Sequence, residues 1–300
     1  MPLGALPARF RRERVLLIGC GDVGLRVARG LRGRVRLLAL TSSPDRVPAL
    51  RAQALTVLRG DLDEPASIAR LAGLATRVVH LAPPPGEGAT DPRTTTLLRA
   101  FRLRLPPASL VYGSTTGVYG DCGGDRISES HPVAPRTPRA QRRVDAERAV
   151  RFFGRSASVR SGILRIPGIY APDREGGTPR ERLQRGTAVL RPDDDVFTNH
   201  IHADDLARAL IAALWRGRPQ RVVNAVDDTE LKMGDWFDLA ADVFGLPRPP
   251  RVSREEARQA LPPVLLSFMS ESRRLGNERL KRELRLRLRY PTVAEGLRGG

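Results

Sequence analysis

Cysteine and lysine are nearly missing from this chain. It has two of each in 300 residues: Cys20 and Cys122, Lys232 and Lys281. Two thiols about a hundred positions apart exclude a disulfide framework and a cysteine-based zinc site. No apolar run approaches the roughly 18–20 residues needed to cross a bilayer. The opening "MPLGALPARFRRER" puts apolar residues before its charges, the reverse of a secretory signal, so a cytoplasmic protein without a membrane partner is expected. Zinc-finger spacing, an RNA-binding aromatic motif and a basic heptad region are also lacking.

What is abundant is arginine. Lys+Arg number 51 against 33 Asp+Glu, a formal charge of +18. The arginines run along the whole chain, and proline, alanine and glycine are plentiful too, as a GC-rich genome would produce. They read as solvated surface with a preference for anionic substrates, and a nucleic-acid partner is not expected. A polyanion-binding protein stays open as a third reading, to be tested by the salt dependence of DNA binding.

Strand-like and helix-like segments alternate. Apolar runs predict strands at Val15–Ile18, Val35–Leu40, Leu55–Leu58, Val78–Leu81, Leu110–Tyr112, Val159–Ile166 and Val222–Ala225. Helical spacing predicts helices over Val23–Leu31, Thr90–Arg104, Pro138–Phe153 and Asp204–Trp215, with another starting near Pro65. This alternation predicts an α/β fold: a Rossmann-type doubly wound parallel sheet. The Pro- and Gly-rich stretch 171–198 and the punctuated tail break the pattern. The expected division is 13–170 with 199–226 as the dinucleotide-binding domain, 171–198 with 227–300 as a smaller substrate lobe, and 1–12 as a flexible arm. "APPPGEGATDP" (82–92) is a loop on the rim of the cleft, because ligands of such sheets sit at the carboxyl ends of strands.

The first βαβ unit carries "GCGDVG": Gly19, Cys20, Gly21, Asp22, Val23 and Gly24. Gly19 permits a tight turn, Gly21 lets backbone approach a pyrophosphate, and Gly24 lets helix and strand pack closely. The helix N-terminus then offers free N–H groups to the phosphates. The second strand ends in Thr41, Ser42 and Ser43, where an NAD site usually places an acid, and the first acid, Asp45, comes with Arg46. Hydroxyls and a guanidinium suit a 2′-phosphate, so NADP is expected, with NAD left open. Cys20 reads as packing, or else as a redox-sensitive thiol at a helix N-terminus.

Further landmarks follow in order: "RGDLDEP", "VVHLAPP", "VYGSTTGVYGD", "ILRIPGIYAP", "NHIHADDLARAL" and "VVNAVDD". Together these resemble the extended short-chain dehydrogenase/reductase superfamily, in its NAD-dependent epimerase/dehydratase branch. The resemblance covers roughly 14–225, with weaker echoes to "YPTVAEGL". It implies cofactor contacts from Asp61, Leu62, Leu81, Ala82 and Pro83. It implies hydride transfer between a nicotinamide and a sugar-like hydroxyl, run by a Ser/Thr, a Tyr and a Lys.

The family's catalytic hydroxyl matches Thr115, with Thr116 and Tyr119 close by. The Tyr-x-x-x-Lys pair is different. Counting back from Glu147, Arg143 stands at the lysine position and Arg139 at the tyrosine position. As i, i+4 neighbours they share a helix face. Arginine stays protonated at pH 7 and cannot cycle a proton, although two can clamp a phosphate or carboxylate. The proton then comes from Tyr119, Tyr170, His202 or Thr115, or the redox step is absent. Thr116, Tyr170, Asn199 and His202 are candidate substrate contacts. A metal is not expected. His80 reads as a satisfied core group, and Asp204 or Asp205 as a helix cap. Apolar faces on the 90–104 and 138–153 helices could pair across a two-fold axis in a homodimer. The sequence therefore predicts an oxidoreductase or epimerase-like protein for a small hydroxyl or carbonyl compound. A non-catalytic NADP(H) sensor or scaffold is the alternative.

Overall fold

Apolar strand runs with no polar side chain to solvate must be covered on both faces, and the computed structural model places them at the centre of a layered α/β unit. The structure describes residues 13–299, and the arm expected over 1–12 lies outside them. Seven strands build the main sheet: β1 (Arg14–Ile18), β2 (Arg36–Thr41), β3 (Thr56–Arg59), β4 (Arg77–His80), β5 (Ser109–Thr115), β6 (Arg160–Ile166) and β7 (Arg221–Asn224). Their order is β7-β6-β5-β4-β1-β2-β3, and the sheet is parallel, with Leu16 opposite both Leu38 and Val78. The order reverses between β1 and β4, where a doubly wound sheet opens its binding crevice.

The helices are α1 (Asp22–Leu31), α2 (Pro92–Arg102), α3 (Pro138–Ser156), α4 (Ala203–Arg216) and α5 (Met233–Phe244). The helix expected near Pro65 is a single turn, Pro65–Ile68, followed by a 3-10 turn at Ala69–Leu71. Asp91 caps α2 by accepting from the Thr94 N–H, and Thr137 caps α3 by accepting from Ala140. Both helices have proline at their first position, where its missing N–H costs nothing.

The described chain clusters into two units. The first comprises residues up to 114 with 137–164 and 207–222, and the second 115–136, 165–206 and 223–299. In the first, Leu16, Ile18, Leu38, Leu97, Phe101, Leu110, Tyr112 and Phe153 form a core between sheet and helices. In the second, Tyr170, Leu190, Trp236, Phe237, Ala240, Val293 and Leu297 pack around α5.

Candidate dinucleotide and active site

The glycine turn connects β1 to α1. Gly19 has φ +85°, a region that L side chains rarely adopt. A Cβ there would lie 2.3 Å from the Ala82 nitrogen and 2.6 Å from the Leu81 carbonyl carbon. The chain after β4 is held this close because the Leu81 and Ala82 N–H groups both donate to the Ile18 carbonyl, at 2.7 and 3.0 Å. A Cβ on Gly24 would lie 2.9 Å from the Gly19 oxygen, so its glycine serves the packing of turn on helix. Gly21 differs: a Cβ there meets nothing within 4 Å. It caps α1 without any side-chain hydrogen bond, and the first N–H inside the helix to reach its carbonyl is that of Leu25. No side-chain cap is made at the start of α1, and an anion could take that role at its N–H groups.

Beside this turn stands the tip of β2. The Thr41 hydroxyl accepts from the Ser43 N–H, Ser42 is exposed, and an Arg46 guanidinium N–H donates to the Cys20 carbonyl at 2.6 Å. Thr41, Ser43, Arg46 and the glycine turn are therefore neighbours. Cys20 is buried, and burial pushes its thiol up to about 11 despite the opposing charge of Arg46. That corrects the redox-sensitive alternative, since such a thiol stays protonated. Asp61 accepts from the Asp63 N–H, and Leu62 is buried. Arg93 holds both Asp63 oxygens, at 2.8 and 2.5 Å, and reaches the Pro83 carbonyl at 3.4 Å, which ties the loops after β3 and β4 together.

Deeper in this unit, His80 is buried and its Nε2 meets the Thr94 hydroxyl at 2.9 Å; that hydroxyl donates to Asp91. Burial, with a smaller effect of Arg143, lowers the His80 pKa to about 3, so the ring is neutral. It is a buried core group, though not the fully satisfied one expected: its Nδ1 has no hydrogen-bond partner among the described residues. Ser114 donates to Glu147 at 2.7 Å, which fixes α3 against the end of β5. One turn earlier, Arg143 donates through Nη1 to the Tyr112 hydroxyl at 3.0 Å and to the Gly113 carbonyl at 2.8 Å. Tyr112 is fully buried, and burial raises its pKa to about 12, with Arg143 opposing. Arg139 is exposed at the start of α3. Arg142, which the sequence did not single out, is buried and donates to the Gly88 carbonyl at 2.7 Å, pinning the loop after β4. Asp145 does the same by accepting from the Asp91 N–H. Only their spacing on α3 could have drawn attention to either residue.

The second unit begins at Thr115, the last residue of β5 and the cap of a 3-10 turn, Thr116–Tyr119. Its Oγ1 accepts from the Gly117 N–H at 3.3 Å, and the hydroxyl hydrogen has no acceptor among the described residues. Thr116 is buried. Tyr119 is fully buried, donates to the Asn224 Oδ1 at 2.7 Å, and has the Arg165 guanidinium 4.6 Å from its ring centroid. Burial raises its pKa, against Arg165. Tyr170 is buried and donates to the Thr292 carbonyl at 3.2 Å. Asn199 donates to the Arg273 carbonyl and accepts from the Leu275 N–H. His202 is buried, accepts from the Asp204 N–H, and stacks on Tyr290 with centroids 3.9 Å apart. Of the four candidate substrate contacts, Tyr170, Asn199 and His202 are engaged in hydrogen bonds within the unit, and Thr116 is buried. Asp205 is no helix cap: it accepts from the Arg289 and Tyr290 N–H groups and anchors the C-terminal segment.

Residues 15–225 match the model of the NAD-dependent epimerase/dehydratase family, about 70% of the chain. The chain belongs to this family. A Methanocaldococcus jannaschii protein named "Putative UDP-glucose 4-epimerase" is 23% identical over 146 residues, 45% of this chain and 47% of that protein. The match thus spans about half of that relative's length. Among solved structures, a functionally unknown conserved protein from Silicibacter pomeroyi is 30% identical, covers 96% of this chain and 97% of its own, and has a TM-score of 0.81. MoeE5, solved with UDP-glucose and NAD, is 23% identical over 95% of this chain and 96% of its own, with a TM-score of 0.75. No described helix is long and apolar enough to cross a membrane.

Proposed function

We propose that this chain binds a nicotinamide dinucleotide in its first unit and acts, as an oxidoreductase or epimerase-like protein, on a small hydroxyl or carbonyl compound. The observation that carries the reading is the glycine turn. Gly19 and Gly24 are glycines because protein atoms crowd them, whereas Gly21 faces open space beside uncapped N–H groups. A pyrophosphate seated there would meet backbone donors and the positive end of α1. The NAD and UDP-glucose held by MoeE5 support the same class of ligands. Thr41, Ser42, Ser43 and Arg46 favour NADP, because β2 ends in hydroxyls, the first acid beyond them, Asp45, comes together with Arg46, and Arg46 lies against the turn.

Gly19, Cys20, Gly21, Asp22, Val23 and Gly24 would hold the pyrophosphate, with Asp61, Leu62, Leu81, Ala82 and Pro83 along the rest of the cofactor. Bound there, the nicotinamide supplies hydride transfer. Thr115 donates its uncommitted hydroxyl hydrogen to a substrate oxygen and polarises it. Arg143 commits only Nη1 to Tyr112 and Gly113, and with Arg139 it holds an anionic group such as a phosphate or carboxylate.

One observation favours the non-catalytic sensor or scaffold. Tyr119 and Tyr170 are buried and donate their hydroxyl hydrogens within the protein, and Tyr112 is fully buried with its hydroxyl accepting from Arg143, so none of the three stands ready as a general acid. Turnover on a panel of sugar nucleotides and small anionic carbonyl compounds, with NADPH and NADH, decides between the two. Turnover that Thr115→Val abolishes supports the enzyme. No turnover by the parent, with turnover created by Arg139→Tyr plus Arg143→Lys, supports the sensor.

A further inference from the structure

The net charge is not shared between the two units. The described residues of the first hold 26 arginines against 10 aspartates and glutamates, while those of the second hold 22 basic and 23 acidic side chains. Of the first unit's ten carboxylates, Asp22, Asp45, Asp61, Asp63, Glu64, Glu87 and Asp91 lie shortly after the carboxyl ends of strands, and Asp145 and Glu147 lie within α3. Only Glu13 stands at an amino end, and it is paired with Arg77 at 2.9 Å.

The amino ends are arginine-rich. β1, β2, β4, β6 and β7 each start with arginine: Arg14, Arg36, Arg77, Arg160 and Arg221. Arg77 and Arg160 are used internally, both donating to the Leu214 carbonyl at the end of α4. Arg32, Arg34 and Arg36 around the start of β2, Arg104 before β5 and Arg218 before β7 are exposed, and none has an ion pair among the described residues. From β2 to β7 there are five strand spacings, about 24 Å at about 4.8 Å each. Arg104 sits between Leu103 and Leu105, which are 64% and 83% exposed in the turn leaving α2. Their exposed apolar side chains stand directly beside the exposed guanidinium groups of Arg102 and Arg104.

Against the sequence expectation of no membrane partner, we infer that this amino-end edge of the first unit docks on an anionic lipid surface. The arginines face lipid phosphates and carboxylates, and Leu103 and Leu105 enter the boundary between headgroups and acyl chains. The leucines favour a bilayer over a nucleic acid, whose phosphate backbone offers no hydrocarbon to bury them. Docking there leaves the glycine turn, at the opposite ends of the same strands, facing away from the membrane.

The test is co-sedimentation of the full chain with phosphatidylcholine vesicles, with and without about 30% phosphatidylserine, at about 0.1 M and about 0.5 M salt. Binding is expected only to the anionic vesicles, and to weaken at high salt. Replacing Arg34, Arg36 and Arg104 by alanine lowers the partition coefficient about a hundredfold, at about fivefold per arginine, equivalent to about 1 kcal/mol each. Leu103→Ser with Leu105→Ser lowers it about tenfold or more. Thermal melts check that these variants stay folded. Failure to bind anionic vesicles, equal binding to both kinds, or unchanged binding by the arginine variant overturns the inference. So does duplex DNA binding that the arginine changes remove and the leucine changes leave intact, which would make the partner a nucleic acid. A dimer that dissociates on the leucine changes would assign the leucines to a second copy and also overturn it.

Discussion

Substituting alanine at Gly19 and at Gly21 should have opposite consequences, although the two residues are separated by a single position. At Gly19 the new Cβ would lie 2.3 Å from the Ala82 nitrogen, a backbone atom that cannot swing aside, and the residue would keep φ +85°. A left-handed non-glycine costs about 1 kcal/mol or more, and overpacking against backbone about 1–3 kcal/mol. A total of about 2–4 kcal/mol lowers Tm by roughly 5–15 °C for a domain of this size. Gly21 has φ −76°, open to any residue, and its Cβ meets nothing. Gly21→Ala should change stability by less than about 0.5 kcal/mol, or raise it slightly by restricting the unfolded chain. It should nonetheless weaken dinucleotide binding about tenfold or more, because the methyl occupies the space a pyrophosphate needs. Paired thermal melts and NADPH titrations of the two variants provide the assay. A Gly21→Ala protein that binds NADPH like the parent would refute the assignment of this turn to the phosphates, whatever its Tm.

Three other changes test separate parts of the account. Asp227 is buried and its carboxyl is pushed up to about 8, by burial first and by Asp228 as well, so it is neutral when folded and charged when unfolded between about pH 4 and about pH 8. Folding therefore binds a proton across that window, and stability is full below it and falls as pH rises through it, by at most about 6 kcal/mol; denaturation midpoints against pH should show this slope, and Asp227→Asn should flatten it. Arg46→Ala should weaken NADPH at least about tenfold more than NADH if the guanidinium meets the 2′-phosphate, and equal losses by fluorescence titration would remove that contact. Tyr119→Phe leaves Asn224 without its donor and should cost about 1–3 kcal/mol in urea melts. Retained turnover in that variant would identify Tyr119 as structural, and abolished turnover in a folded variant would identify it as the missing acid.

Much of the first unit could be read directly because its signals are local. Apolar runs, Pro65, Pro92 and Pro138 at helix starts, and the glycine turn all act within a few residues. The chemistry around α3 was less visible, because its partners are distant in sequence. Arg143 shares its residue type with Arg139, Arg142, Arg148 and Arg151, and only the folded chain shows that it holds Tyr112 and Gly113 while Arg142 pins the loop at Gly88. Asp204 or Asp205 was read as a helix cap because capping is a local habit of acids at helix starts, but α4 starts at Ala203 and Asp205 serves elsewhere. Its true partners, the N–H groups of Arg289 and Tyr290, lie more than eighty residues away. Cys20 looked activatable from its place before α1, but burial outweighed the helix end.

The most direct test is a titration of the purified chain with NADPH and with NADH, followed by nicotinamide fluorescence. Saturable binding, tighter for NADPH, is the predicted result. A folded protein that binds neither would contradict the central claim that the glycine turn is a dinucleotide site.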